Sequence, residues 1–151
     1  MRICLQRVNA AQVQVADKVI ASIPRGLLLL VGVGPRDDEA VLDHLCRKVL
    51  QLRVFPDAEG KMNLSVSEIR GEILAVSQFT LYGDCTRGNR PGFSAAAPPE
   101  MARDLFQKFV EKLQASGLPV AAGEFSAQMR VNLENDGPVT LWLEKEPAVP
   151  A

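Results

Sequence analysis

Residues 27–33 form an uninterrupted apolar run that has the length of one β-strand. A strand without polar positions offers no face to water, so this run predicts a central strand that is covered on both sides. Residues 72–79 predict a second buried strand. Two such strands require a layered fold, in which other elements pack against both faces of one sheet.

The rest of the chain predicts further strands and two main helices. Helical spacing of apolar residues indicates one helix after a cap at Asp37 or Asp38 and another that starts at Pro98. We therefore expect one α/β domain over residues 1–145, with a mixed sheet that curls toward a barrel, and a frayed tail at 146–151. The further strands predicted from alternating apolar residues are 2–15, 19–23, 129–133 and 139–143.

Size and composition are those of a single soluble domain. With 151 residues, of which 47% are hydrophobic, the chain can bury a core without metals or disulfides. Its three cysteines form no CxxC pair and their number is odd, which argues against a disulfide framework or a zinc knuckle and for a reducing compartment. We see neither a leader sequence nor an apolar run of roughly 20 residues. A cytoplasmic protein without membrane contact is expected.

The formal net charge of -1 restricts the nucleic-acid partners of the chain. A protein that grips long stretches of nucleic acid needs many basic contacts to phosphates, so DNA is not an expected partner. Local cations such as Lys61, Arg87 and Arg90 still suffice to hold a few nucleotides at one RNA terminus, where base stacking adds to binding.

Side-chain catalysis has little support in the sequence. Ser77 and Thr80 carry hydroxyls, but the single histidine, His44, lies on a predicted helix at no useful spacing from either. Cys85 also lacks a paired histidine. Carboxylates and cysteines are scattered, and neither GxGxxG nor GxxxxGK[ST] occurs, so no metal and no cofactor are expected.

Two short motifs carry more information. Ser77-Gln78-Phe79-Thr80-Leu81 ends a predicted strand, and Asn135-Asp136-Gly137-Pro138-Val139-Thr140 joins two others. A proline cannot donate to a sheet ladder and a Gly-Pro step adopts the cis peptide at modest cost, so a sharp turn that presents backbone atoms is expected. Residues 83–98 predict a long surface loop, and such loops in compact domains are usually functional.

With these two motifs the chain resembles the D-aminoacyl-tRNA deacylase family, whose members carry SQFTL and N-x-GPVT. The resemblance implies the fold of that family and hydrolysis of the ester between a D-amino acid and the terminal adenosine of tRNA. Two positions depart from the family pattern, since Gly92 stands where serine is expected and Ser126 where glycine is expected. The likeness extends over nearly the whole chain and includes Met1-Arg2, Gln6-Arg7-Val8, Gly26-Leu27-Leu28, Gly88-Asn89-Arg90-Pro91 and Met129-Arg130-Val131.

The resemblance also implies roles for individual residues in a homodimer with cross-subunit active sites. The residues implied in catalysis are Ser77, Gln78, Phe79 and Thr80. Main-chain N–H groups around Phe79 and Thr80 are implied to form the oxyanion hole, while the terminal ribose hydroxyl of the tRNA helps to activate water. The residues implied to reject L-amino acids from the opposite subunit are Gly137, Pro138 and Arg7. The residues implied to bind substrate are Met129, Phe79, Asn89 and Arg90.

Rejection by exclusion has a consequence for the smallest amino acid. Glycine has no side chain to exclude, so glycyl esters, including glycine mischarged on tRNA(Ala), are expected to be substrates. Two other interpretations remain open: a non-catalytic module that binds an RNA end or a peptide near Arg87 and Arg90, and a hydrolase with Thr80 as nucleophile. If the resemblance is ignored, the sequence favours the interpretation of Arg7 as an ordinary surface cation and of Met129 as a residue that fills the core.

Overall fold

The structure is a computed structural model that describes residues 1–148. Over these residues the chain forms eight β-strands, two α-helices and one short 3-10 helix. In chain order the elements are β1 (Arg2–Val15), β2 (Lys18–Ile23), β3 (Gly26–Gly32), α1 (Glu39–Gln51), β4 (Phe55–Pro56), β5 (Met62–Leu64), β6 (Glu72–Ser77), the 3-10 helix (Phe79–Tyr82), α2 (Pro99–Gln114), β7 (Val120–Ala122) and β8 (Arg130–Glu144).

Strand β3 lies in the middle of a six-stranded mixed sheet, as its apolar sequence predicts. It pairs antiparallel with β1 on one side and parallel with β6 on the other. Strand β7 extends the sheet beyond β6, while β2 and β8 both pair with β1. Because β2 also approaches β6 and β7, the sheet is curled and nearly closed. The predicted α/β fold with a barrel-like mixed sheet is confirmed.

The two faces of the sheet have separate cores. Helices α1 and α2 pack on one face, where Phe55 and Phe109 are fully buried. Alternate residues of the central strands face the other way, so that Leu28 and Leu74 belong to a smaller cluster inside the curl. Among the described helices none is long and apolar enough to span a membrane.

Asp38 is the residue that caps α1. Its carboxylate accepts a hydrogen bond from the amide of Val41 at 3.0 Å. Asp37, the other candidate, is buried and pairs with the N-terminal ammonium of Met1 at 2.5 Å, while it also accepts from the amide of Gly34 at 2.7 Å. This pair fixes the start of β1 to the connection between β3 and α1.

Two segments differ from the predicted elements. The strand expected at residues 72–79 ends at Ser77, because the chain tightens into the 3-10 helix that begins at Phe79. The two strands expected at 129–133 and 139–143 are parts of the single strand β8, since β1 is long enough to pair with both.

The expected tail at 146–151 lies only partly within the described residues. Lys145 still donates its amide to the carbonyl oxygen of Met1 at 3.1 Å, and Glu146 pairs with Arg36 at 3.4 Å. Residues 149–151 lie outside the described range, so the domain boundary at residue 145 stays a prediction.

Candidate active site

The motif at residues 77–81 leaves the sheet at the end of β6. Gln78 still pairs with β3, because its amide donates to the carbonyl oxygen of Val31 at 2.7 Å. The 3-10 helix then begins, and the amide of Leu81 donates to the carbonyl oxygen of Gln78 at 3.3 Å. The sheet therefore fixes the first residues of the motif, and the helix turn fixes the rest.

The amides of Phe79 and Thr80 are unsatisfied donors in this turn. In a 3-10 helix each amide donates to the carbonyl group three residues earlier, so the first amides have no acceptor inside the helix. Within residues 1–148 neither of these amides donates a hydrogen bond to another group. Two adjacent main-chain donors are therefore available to an oxygen atom from outside the chain.

A cavity of about 380 Å³ lies beside the turn. Its walls come from the ends of β3 and β6, from α2 and from the connection between β7 and β8, with Phe106 and Phe125 as large apolar groups. A few polar groups among apolar walls are typical of small-ligand sites. The predicted site residues that line it together are Ser77, Gln78, Phe79 and Met129.

Phe79 presents an aromatic ring at this cavity. Its surface is 56% exposed, which is a large fraction for an apolar residue. The ring contacts Phe93 edge-on, with centroids 5.2 Å apart and an interplanar angle of 68°. Phe93 belongs to the predicted loop at residues 83–98, which also carries Asn89 and Arg90. Both of these are exposed and do not line the cavity.

Among the described residues no carboxylate or histidine is hydrogen-bonded to the hydroxyl of Thr80. Its hydroxyl oxygen accepts a hydrogen bond from Nε2 of Gln78 at 2.5 Å, and an amide is not a proton acceptor of useful strength. His44 is exposed on α1, where it lines a different cleft. The described part of the chain also holds no group of three or more His, Cys, Asp or Glu side chains arranged for a metal ion.

Arg2 fixes the 3-10 helix to the edge of the sheet. Its Nη1 donates to the carbonyl oxygen of Leu81 at 3.1 Å, and its guanidinium lies 4.3 Å from the centroid of the Tyr82 ring. Its Nε pairs with Glu144 at 2.7 Å, and this hydrogen bond lowers the pKa of Glu144. Burial raises the pKa of Tyr82 far above its ordinary value, so the phenol stays neutral.

The Gly137-Pro138 step lies in a bulge of β8. The register with β1 shifts between Glu134 and Asn135, where Asn9 is the extra residue of β1. It shifts again between Asn135 and Thr140, so residues 136–139 stand opposite the single residue Arg7. The sharp turn predicted at this proline is therefore wrong in form, because β1 pairs with β8 on both sides of it. The Gly137-Pro138 peptide bond is cis.

The buried side chain of Arg7 holds this bulge in place. Its Nε donates to the carbonyl oxygen of Asp136 at 3.2 Å and pairs with the carboxylate of that residue at 2.9 Å. Nη2 donates to the carbonyl oxygen of Gly137 at 3.3 Å, and Nη1 to that of Val54 at 2.5 Å. Because only 7% of Arg7 is exposed, its interpretation as an ordinary surface cation is wrong.

The two motifs do not meet within one chain. Ser77 lies level with Val31 of β3, whereas Arg7 lies level with Leu27. These levels are four residues apart, about 13 Å along the strands, and β8 is three strand positions from β6. Gly137-Pro138 accordingly does not line the cavity. Within the described residues the two motifs therefore lie at separate places on the sheet.

The sequence does not identify several residues of this region as parts of a site. An apolar residue that lines a cavity follows the same spacing along a strand or helix as a residue of the core. Phe93, Phe106 and Phe125 are of this kind. Ser126 carried a signal, since it stands where glycine was expected and its φ of 65° lies in the region that favours glycine. Gly92 has room for the expected serine, because an added Cβ meets no atom within 4 Å.

Comparison with known proteins assigns the chain to a family. The model of the family described as D-Tyr-tRNA(Tyr) deacylase matches residues 4–144. The chain belongs to this deacylase family. A D-aminoacyl-tRNA deacylase of Acaryochloris marina is 54% identical to it over 146 residues, with 97% of each chain covered. A deacylase of the same name from Thermosipho melanesiensis is 54% identical over 147 residues, with 97% of this chain and 98% of the relative covered.

Solved structures share the fold of this deacylase. The c-Myc DNA Unwinding Element Binding Protein has a TM-score of 0.91 and 41% identity, with 97% of this chain and 100% of that chain covered. A probable eukaryotic D-amino acid tRNA deacylase has a TM-score of 0.80 at 20% identity, with 94% and 97% covered, a likeness that supports the fold alone. The family predicted from the two motifs is confirmed, and with it the prediction of an enzyme, a deacylase that acts on carboxylic esters.

Proposed function

We propose that this deacylase hydrolyses the ester between a D-amino acid and the terminal adenosine of tRNA, and so removes D-amino acids before translation. The observation that carries the proposal is a pair of adjacent unsatisfied amides, one at Phe79, which lines a cavity of about 380 Å³, and one at its neighbour Thr80. The name of the relatives at 54% identity supports the same class of substrate.

In this proposal the two amides form an oxyanion hole. Water adds to the carbonyl carbon of the ester, and the N–H groups of Phe79 and Thr80 stabilise the negative charge that develops on the carbonyl oxygen. One good donor of this kind contributes about 3 to 4 kcal/mol to transition-state stabilisation. The intermediate then expels the ribose oxygen, which takes up the proton that the water has lost. The free ribose hydroxyl beside the ester helps to activate the water, so no side-chain base is required.

Selection against L-amino acids comes from the partner subunit of a homodimer. The distance between the two motifs within one chain supports this arrangement, because only a second chain brings Gly137-Pro138 to the cavity. Arg7 fixes the carbonyl group of Gly137, which makes the bulge a stiff wall. An L side chain is directed into this wall and a D side chain away from it, so the enzyme accepts many D-amino acids by exclusion of the L form.

The same geometry predicts that glycine escapes exclusion. A glycyl ester has no side chain to meet Gly137-Pro138, so glycyl-tRNA, including glycine mischarged on tRNA(Ala), is a substrate. This deacylase therefore removes two kinds of incorrect aminoacyl group with one site.

The terminal adenosine binds between Phe79 and Met129. The exposed ring of Phe79 offers a stacking surface, and stacking of a base on an aromatic ring contributes about 1 to 3 kcal/mol. Met129 lines the same cavity and contacts the nucleoside from the other side. Asn89 and Arg90 lie in the exposed loop that Phe93 joins to Phe79, and they hold the nucleotides that precede the adenosine.

Incubation of the protein with D-tyrosyl-tRNA, L-tyrosyl-tRNA and glycyl-tRNA tests the proposal. The D-tyrosyl and glycyl esters should be hydrolysed while the L-tyrosyl ester persists. Equal rates on the two tyrosyl esters, or no hydrolysis of D-tyrosyl-tRNA, would refute it. A protein that binds all three and hydrolyses none would instead be the non-catalytic binding module.

A further inference from the structure

Four basic side chains lie together at the carboxyl end of α1. This basic cluster consists of His44, Arg47, Lys48 and Arg53, which line one cleft of about 540 Å³ that has no carboxylate in its lining. Arg47, Lys48 and Arg53 are exposed, and none of them forms an ion pair with another described residue. In a chain of net charge -1, such a local excess of positive charge indicates an anionic partner.

The acidic groups around the basic cluster make their direct contacts with other partners. Asp43, the neighbour of His44 in the chain, pairs with Lys112 at 2.8 Å. Asp57 accepts hydrogen bonds from main-chain amides of its own turn, at 2.9 and 3.0 Å. Glu68 accepts from the amide and the hydroxyl of Ser65 at 2.7 and 2.8 Å. Main-chain hydrogen bonds are the chief cause of the lowered pKa of Asp57 and of Glu68, and the charge of Arg53 adds to it. The positive charge of the cluster is therefore not neutralised by ion pairs within the chain.

The basic cluster is connected to the Gly137-Pro138 bulge through one side chain. Val54 follows Arg53 directly, and its carbonyl oxygen accepts from Nη1 of Arg7 at 2.5 Å. Nη2 of the same guanidinium donates to the carbonyl oxygen of Gly137 at 3.3 Å. The end of the cluster and the bulge therefore lie on two sides of one buried arginine.

We propose that the basic cluster binds backbone phosphates of the tRNA acceptor end. This inference rests on the proposed function, in which the bulge of one chain and the cavity of its partner enclose the terminal adenosine. The cluster then lies on the chain that supplies the bulge and holds the strand that leads to that adenosine. Arginine matches phosphate oxygens through two parallel hydrogen bonds, and lysine acts as a point charge. Such contacts position an RNA without reading its sequence, which suits an enzyme that accepts several tRNAs.

Cations near a helix C-terminus also stabilise the helix itself through its dipole. Lys48 in the last turn of α1 has this position, so stability has to be measured apart from substrate binding. The double variant Arg47→Gln/Lys48→Gln removes both charges from exposed positions of the helix. Thermal unfolding of this variant reports any loss of helix stability.

In the double variant we expect the KM for D-tyrosyl-tRNA at low salt to rise about tenfold with kcat unchanged. The slope of log KM against log salt should fall by roughly 1.4, because each phosphate contact to a single strand contributes about 0.7. Hydrolysis of 3′-O-D-tyrosyl-adenosine, which has no phosphate, should stay at the wild-type rate. The matched control Lys18→Gln/Lys108→Gln removes the same charge from exposed lysines elsewhere and should change neither KM nor slope.

Arg47→Lys/Lys48→Arg keeps both charges and should retain the wild-type KM within about threefold. A KM and a salt slope that are unchanged in the glutamine variant overturn the inference, as does an equal loss on 3′-O-D-tyrosyl-adenosine. If the wild type hydrolyses no D-ester, the proposed function fails and binding of deacylated tRNA decides the inference separately. If the glutamine variant binds deacylated tRNA more weakly than the wild type and with less dependence on salt, the result supports the inference. Equal binding of deacylated tRNA by the two proteins overturns it.

Discussion

Nη2 of Arg7 donates a hydrogen bond to the carbonyl oxygen of Gly137 at 3.3 Å, from a side chain that is almost fully buried. The same guanidinium also contacts Val54 and Asp136, so Arg7 joins β1 to the segment of Val54 and to the bulge of β8. Arg7→Lys keeps the charge, but an ammonium cannot reproduce a planar fork with donors in three directions. We expect this variant to hydrolyse L-tyrosyl-tRNA measurably and to lose about 2 kcal/mol of the free energy of unfolding.

Arg36→Lys is the matched control for Arg7→Lys. Arg36 pairs with Glu146 at 3.4 Å, and both side chains are 69% exposed. Exposed pairs contribute little to stability, so this substitution should change neither unfolding nor discrimination. If Arg7→Lys still rejects L-tyrosyl-tRNA completely, Arg7 has no role in the selection against L-amino acids.

Two substitutions at Thr80 separate its hydroxyl from its amide. Thr80→Ala keeps the N–H group, so we expect less than about a tenfold loss of kcat. Thr80→Pro removes the N–H group and should lower kcat about 10²- to 10³-fold. Single-turnover hydrolysis of D-tyrosyl-tRNA measures both. An alanine variant as slow as the proline variant would favour Thr80 as the nucleophile.

The exposed ring of Phe79 predicts an effect on substrate binding. Phe79→Ala removes the stacking surface and should raise KM for D-tyrosyl-tRNA about tenfold, with a smaller change in kcat. Phe79→Tyr keeps an aromatic face and serves as the control, with a KM near that of the wild type. Equal KM values for the alanine and tyrosine variants would show that the ring does not hold the adenosine.

The ion pair between Arg2 and Glu144 predicts a response to acid. The hydrogen bond from Arg2 lowers the pKa of Glu144 below 4.5. A carboxylate with a lowered pKa in the folded state stabilises the fold above its unfolded pKa, and this contribution is lost as the pH falls through the folded pKa. We expect Glu144→Gln to lower Tm at about pH 7, and the difference from the wild type to shrink as the medium is acidified. A difference in Tm that stays constant down to about pH 3 would argue against this coupling.

Much of the fold was predictable because its signals are local. The apolar run at residues 27–33 and the helical spacing before Gln51 depend on neighbouring residues alone. The 3-10 helix at Phe79 and the continuity of β8 were not predictable, since each depends on which distant strand the chain pairs with. Propensity cannot decide between a turn and a bulge at Pro138 when the length of the partner strand is unknown.

The candidate site was predictable only in part, for a similar reason. Phe79 and Met129 line one cavity, whereas Asn89 and Arg90 lie outside it, and the roles that the resemblance implied for them stay predictions. The burial of Arg7 follows from three partners that are distant in sequence, so no local pattern reveals it. Catalysis by main-chain amides leaves no side-chain signature at all.

In the proposed dimer the bulge of one chain completes the cavity of the other, and Gly137 offers a direct test. An added Cβ at Gly137 meets only Oδ1 of Asn135, at 3.8 Å, so Gly137→Ala fits within its own chain. In the proposed dimer the added methyl group would instead enter the partner's cavity and displace the ester from the two amides. We expect the Gly137→Ala and Thr80→Pro homodimers each to be at least about tenfold slower than the wild type.

The most direct measurement is hydrolysis of D-tyrosyl-tRNA by a purified heterodimer of one Gly137→Ala chain and one Thr80→Pro chain. If the sites are shared between subunits, one site carries both substitutions and the other carries neither. We therefore expect about half of the wild-type activity per dimer. A heterodimer that is as inactive as the two parent homodimers would contradict it, because both motifs would then act within a single chain.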